Sequence, residues 1–357
     1  MRDTKLTVVF LGILVFLAVG FVLHLLKAIL LPFVVAVFLA QIFTPAIEAL
    51  RRYRVPMPVA MLLMLVAVSV VLFAFSWVIY SSAVSFRESL PRYEARLGGL
   101  VQGAVNRLVA TLPLLREPVE HFRWQEAFDV SSMTGLVATG VGSFLVFFNE
   151  LFLVVLYMVF LLSGSQSFPA KLERALADRA DRVADVMGNI ETQVRKYLLT
   201  KTLVNLINGL LVTVLLAMFG VDFAPLWGFL TFIAHYIPQV GAVLSVGLPT
   251  LFIFLQFEST GRALLVALLN FALQFFIGNV VEPRIMGTSL DLSPVLVLLS
   301  LIFWGWLWGA WGMILAVPIT STIKIVCENI EALHPLSILM SGSAESRHDP
   351  RPAGAGM

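Results

Sequence analysis

Six polar residues in the C-terminal half have the types and spacing that a pathway for a solute or ion would need. Asn205 and Asn208 lie three apart, and Asn270 and Gln274 four apart, so each pair falls on one face of a helix. His235 and Gln239 flank Tyr236-Ile-Pro238, where proline frees backbone carbonyls that can face a ligand. Each of the six has a plainer use, since Asn and Gln also join membrane helices through hydrogen bonds worth about 0.6 kcal/mol. A seventh and eighth candidate stand in Glu282-Pro283-Arg284. As structure, the proline ends a helix and Arg284 caps the carbonyls while pairing Glu282. As chemistry, Glu282 exchanges a proton or cation, and Asp222 and Asp291, each just before a proline, could do the same. The five histidines are scattered, and there is no His-Glu-x-x-His, no Gly-x-Ser-x-Gly and no pair of membrane aspartates. We expect no catalytic residue, no metal and no cofactor; the chain reads as a non-enzyme.

The elements that must hold these residues are membrane helices. Of 357 residues, 59% are hydrophobic and 13% charged, which is too much apolar surface for an ordinary soluble domain. Leu6–Leu26, Val59–Tyr80, Leu203–Phe219 and Ala263–Val281 are uncharged runs of 17 to 22 residues, each able to cross a core of about 30 Å. The expected fold is all-α and polytopic, with eight or more membrane segments. Residues 1–83 carry N-terminal membrane helices, 84–134 an amphipathic segment broken at Pro91, Pro113 and Pro118, and 135–162 a further span. Residues 163–197 form a second amphipathic segment, 198–335 the transport core, and 336–357 a disordered tail. A net charge of +2 without Lys/Arg runs argues against nucleic acid, and the lone Cys327 excludes an intrachain disulfide. Basic residues at the N-terminus, at Arg51–Arg54 and at Lys171–Lys196 place those segments in the cytoplasm, together with the C-terminus.

The core carries an internal repeat. An offset of 69 superimposes Pro225 on Pro294 and Pro249 on Pro318, and lays Val246-Gly-Leu-Pro-Thr250 over Leu315-Ala-Val-Pro-Ile319. Gly241 falls near Gly309 and Gly312, and Pro238 lies beside it at the middle of its block. Because one preceding span leaves the cytoplasm and the other returns, the units 198–257 and 261–326 read as an inverted repeat of span plus Gly/Pro-broken helical hairpin. Such repeats place a substrate near the bilayer midplane.

Val281-Glu-Pro-Arg-Ile-Met-Gly287, Leu292-Ser-Pro294, Trp304-Gly-Trp-Leu-Trp-Gly309 and Gly312-Met-Ile-Leu-Ala-Val-Pro-Ile319 resemble the signature of the autoinducer-2 exporter family. Ile237-Pro-Gln-Val-Gly241 is similar to its other recurrent motif, although His235 and Gln239 depart from the commoner residues there. The resemblance implies a bacterial inner-membrane permease that exports a small polar solute of the autoinducer-2 kind, with a proton or Na⁺ for coupling. It further implies a homo-oligomer, a pentamer being one candidate size. A Na⁺(Li⁺)/H⁺ antiporter and a membrane scaffold or regulator are the rival readings.

Overall fold

The computed structural model describes residues 2–111, 152–162, 164, 180–286, 291–331 and 333–342. The named elements are helices: α1 (Arg2–Leu25), α2 (Lys27–Arg52), α3 (Met57–Thr111), α4 (Phe152–Leu162), α5 (Ala180–Met218), α6 (Ala224–Ala234) and α7 (Val240–Gln256). They continue with α8 (Thr260–Met286), α9 (Pro294–Trp308), α10 (Ala310–Asn329) and α11 (His334–Met340). Five of them, α2, the first part of α3, α5 from Val183, α8 and α10, are long and apolar enough to cross a membrane, and shorter apolar helices accompany them. The chain is a polytopic helical membrane protein.

Two expected breaks are absent. Pro91 was expected to interrupt the segment after the third span, yet α3 runs through it as one helix of 55 residues. At 1.5 Å per residue that is roughly 80 Å, so its apolar part, Met57–Ser89, is followed by a more polar stalk whose Tyr93 is buried in the core of the second unit. Similarly, residues 180–196 do not form a separate amphipathic helix but are the first turns of the 39-residue α5. Pro113, Pro118 and most of the expected span 135–162 lie outside the described residues.

The chain divides into two compact units. The first comprises Met1–Met57, Leu153–Thr202 and Met286–Met357; the second comprises Pro58–Phe152 and Leu203–Ile285. The expected core 198–335 is thus shared between them.

In the second unit, proline at the first turn starts α6, since its fixed φ suits a helix and its missing N–H has no partner to lose there. The α6–α7 hairpin turns at His235–Gln239 and packs against α8. A Cβ on Gly209 would stand 2.6 Å from the Gly228 carbonyl oxygen, so α5 and α6 touch backbone to backbone. Val212, Leu216, Phe252, Ile253, Phe257 and Val266 form the buried core beside this contact.

In the first unit, Pro294 opens α9 and Gly309, at φ +68°, turns the chain into α10. Trp304 and Trp308 are buried, their rings 5.1 Å apart. Trp308 Nε1 donates to the Leu23 carbonyl (3.4 Å), and the exposed Trp306 stacks on His24 at 5.9 Å, which seats α1 on this hairpin. These tryptophans therefore pack α1 against the hairpin.

The two hairpins close alike. A side chain at Gly241 would strike the Ala234 carbonyl, and one at Gly312 would strike the Trp304 carbonyl. In each, a glycine early in the second arm lets it lie against the last turn of the first. Pro249 and Pro318 are buried inside α7 and α10.

Candidate functional site, a buried polar seam

Within the second unit, four helices bring polar side chains into one buried seam. From α5 come Asn205 and Asn208, both 0% exposed, and from α8 Asn270 and Gln274, at 0% and 5%. Thr231 and His235 from α6 and Ser245 from α7 are buried with them. Asn208 Nδ2 donates to Gln274 Oε1 at 3.0 Å, and Asn270 Nδ2 donates to the Ser245 carbonyl at 3.2 Å. Ser245 Oγ lies 3.1 Å from His235 Nδ1, which is also 3.0 Å from the Thr231 carbonyl. A carbonyl only accepts, so the Thr231 bond requires the proton on Nδ1.

The bonds do not exhaust the groups. Asn208 Oδ1, Asn270 Oδ1, Gln274 Nε2 and Thr231 Oγ1 are buried and have no hydrogen-bond partner among the described residues. Each buried polar atom left unpaired costs roughly 1–3 kcal/mol, and native proteins keep few of them. Turning both the Asn208 and Gln274 amides over would exchange which residue offers a donor, yet one donor and one acceptor would remain. Helix glue alone would consume these atoms. Their remainder, two amide oxygens, an amide N–H₂ and a hydroxyl, is uncharged and suits the hydroxyl and carbonyl groups of a polar guest.

The sequence singled out Asn205, Asn208, His235, Asn270 and Gln274, and the fold places all five in this unit, buried. It missed Thr231 and Ser245, which are common in membrane helices and carry no signal until their neighbours are known. Gln239 is exposed and stands at φ +64° as the residue before α7, so its backbone makes the hairpin turn. Glu282 is half-buried and Arg284 exposed, at the end of α8. Pro283 does not stop that helix as expected. Ile277–Val281 form a π-helical turn just before it, and helix resumes over Glu282–Met286. The wider turn relieves the crowding of the proline ring against the preceding carbonyls.

Asp222 and Asp291 are both held. Asp222 Oδ2 accepts from Tyr93 Oη at 2.6 Å; its N–H donates to Gln256 Oε1 at 2.9 Å and its carbonyl accepts from Trp227 Nε1 at 3.1 Å. Burial, then the hydrogen bond to Asp222, then its charge push the Tyr93 phenol far above its ordinary pKa, so it stays a donor. In the first unit, Lys324 Nζ donates to the Asp291 carbonyl at 2.7 Å and to its Oδ2 at 3.0 Å, and Lys324 also pairs with Glu328 at 3.4 Å.

Membrane-length helices, two glycine-closed hairpins and an uncharged buried seam define a membrane permease. The family model described as AI-2E family transporter matches residues 11–332, and the chain belongs to that family. Among its relatives are a candidate transport protein of Haemophilus influenzae, 33% identical over 84% of this chain and 86% of its own, and the AI-2 transport protein TqsA of Escherichia coli K12, 31% identical over 94% and 95%. YhhT of Escherichia coli K12, also a candidate transport protein, is 32% identical over 91% and 92%.

Proposed function

We propose that this chain is an inner-membrane secondary transporter that exports a small, uncharged, hydroxyl-rich solute of the autoinducer-2 kind, using the α5–α8 seam as its recognition site. The observation that carries this reading is the set of four buried polar atoms in the seam without a partner among the described residues, two acceptors, one donor and one hydroxyl. A guest that meets them recovers several kcal/mol that the folded chain forgoes, and an apolar guest does not. The α6–α7 hairpin would open and close beside the seam, with a proton or Na⁺ as the coupling ion, both chain ends in the cytoplasm and several copies assembled together. TqsA, by its name, transports AI-2, which agrees with the solute class.

The test separates transport from folding. Replacing both Asn208 and Gln274 by leucine removes a mutually bonded pair at near-constant shape, a change that is close to neutral for stability. In a strain lacking the protein, efflux of autoinducer-2 restored by the wild type should fall at least about tenfold with the double variant, at equal membrane abundance and thermal stability. Undiminished efflux would remove the seam from the pathway. Li⁺ or Na⁺ exchange without autoinducer-2 efflux would favour the antiporter instead.

A further inference from the structure

Both hairpins begin three residues after an aspartate, Asp222 before Pro225 and Asp291 before Pro294, and the aspartates are related by the same offset of 69 as the prolines. Their surroundings correspond in three respects. Left-handed backbone marks each position, at Phe223 (φ +60°) and at Asp291 itself (φ +41°), conformations that non-glycine residues keep only where neighbours hold them. The end of the hairpin's second arm supplies a side chain to each: Gln256 to the Asp222 N–H, and Lys324 to the Asp291 carbonyl and carboxylate. Finally, a hydroxyl from outside the repeat donates to Oδ2 of each: Tyr93 from the α3 stalk at 2.6 Å, and Ser341 from the chain after α11 at 3.0 Å.

We propose that Asp222 and Asp291 are paired latches, each holding the mouth of one hairpin shut, and that each is controlled by an element outside the hairpin it holds. For the first hairpin that element is the α3 stalk. A cavity of about 320 Å³ lies beside the latch, lined by Arg92, Tyr93, Arg96, Gln256 and Glu258, so the stalk is not packed solidly against the second arm there. Arg96 reaches across to the Phe257 and Glu258 carbonyls at 3.2 and 3.3 Å, and the buried Tyr93 packs its ring against Phe223 and Phe252, so the stalk is held here by one aromatic anchor and a few polar bonds that can be exchanged. For the second hairpin the element is the C-terminal segment. Leu292 and Ser341 form an antiparallel bridge, Ser293 N–H donates to the Met340 carbonyl at 2.9 Å, and Gly342 N–H donates to the Asp291 carbonyl at 3.2 Å. Ser337 and Met340 of α11 are buried, so this segment is docked rather than trailing. Anything that draws away the stalk or the C-terminal segment frees one mouth and leaves the other held.

Hydrogen exchange on the intact protein in detergent tests this without any substrate, so its failure is separate from failure of the transport reading. Loss of a hydrogen bond to a charged group corresponds to about a tenfold gain in local opening. Tyr93→Phe should speed exchange of amides in 224–256 by about tenfold and leave 294–329 unchanged, whereas Ser341→Ala should do the reverse. Acceleration of both hairpins by either variant would mean general destabilisation and would overturn the proposal, as would no acceleration. A reversible lock supplies the complementary measurement. With Cys327 replaced by serine, a disulfide between Leu292→Cys and Ser341→Cys should slow exchange in 294–308, and reduction should restore it. Equal exchange in the oxidised and reduced forms would refute the C-terminal latch.

Discussion

Lys324 shows what single residues reveal and conceal. It is the one charged side chain between Ala310 and Cys327, and a charge at membrane depth costs about 2.5–3.5 kcal/mol, so its presence alone announces a partner. One partner, Glu328, stands four residues on in the same helix, but the other, Asp291, is 33 positions away and only the hairpin brings it to Lys324. The amides of the seam were easier to find, since Asn208, Asn270 and Gln274 stand out at helical spacing in apolar runs. Ser245 and Thr231 were not, because small hydroxyl residues in membrane helices usually bond their own backbone. Tyr93 makes a prediction at this scale. Its phenol titrates higher when folded than when unfolded, so the bond to Asp222 contributes fully below the unfolded pKa of 10.0 and is lost as pH rises above it. Thermal unfolding in detergent should therefore weaken from about pH 10 upward in the wild type. Tyr93→Phe should lower the midpoint at neutral pH and flatten that alkaline decline.

At the scale of elements, composition located helices well and their ends poorly. In sequence Pro91 and Pro283 read as helix stops and Pro249 and Pro318 as hinges of the repeated hairpins, yet α3 passes through the first, a π turn absorbs the second, and the last two lie buried inside second arms. What decides is whether the carbonyls freed by the ring find room or partners, which is a property of neighbouring helices. Gly241 and Gly312, which stand out in sequence at the middle of each block, each sit where one arm of a hairpin meets the backbone of the other. Gly228 carried no such signal, although its neighbour across the contact is Thr213 on α5. Because the obstruction at Gly241 is backbone rather than a flexible side chain, Gly241→Ala should destabilise by about 1–3 kcal/mol or more and open the hairpin tip. Gly247→Ala on the same helix meets nothing within 4 Å and should be neutral or slightly stabilising, a control readable in the same melting experiment.

For the whole molecule, lengths matter more than charges. The 11 residues of α6 rise about 16 Å, roughly half a hydrocarbon core, although its partner arm α7, with 17, rises about 26 Å; the 15 of α9 and 20 of α10 rise about 22 and 30 Å. Hence the first hairpin should turn back within the membrane. In a Cys327→Ser background, Gln239→Cys at its tip should resist an impermeant maleimide applied from the side opposite Glu258→Cys, reacting at least about tenfold more slowly than the latter does from its own side. Comparable rates would mean a fully crossing pair. Membrane residence was legible from composition; the division into two units was not, because it follows contacts between segments far apart in sequence. The π turn in α8 bears on the same long-range order. One extra residue in a turn delays the helix by one position, so Glu282 takes the azimuth that residue 281 would hold in a regular helix. That azimuth, seven positions beyond Gln274, is the stripe on which the seam amides lie. Five residues of widened helix thus act as a phase shifter: they set the register of everything after them, and removing any one would turn Glu282 about 100° round the helix axis.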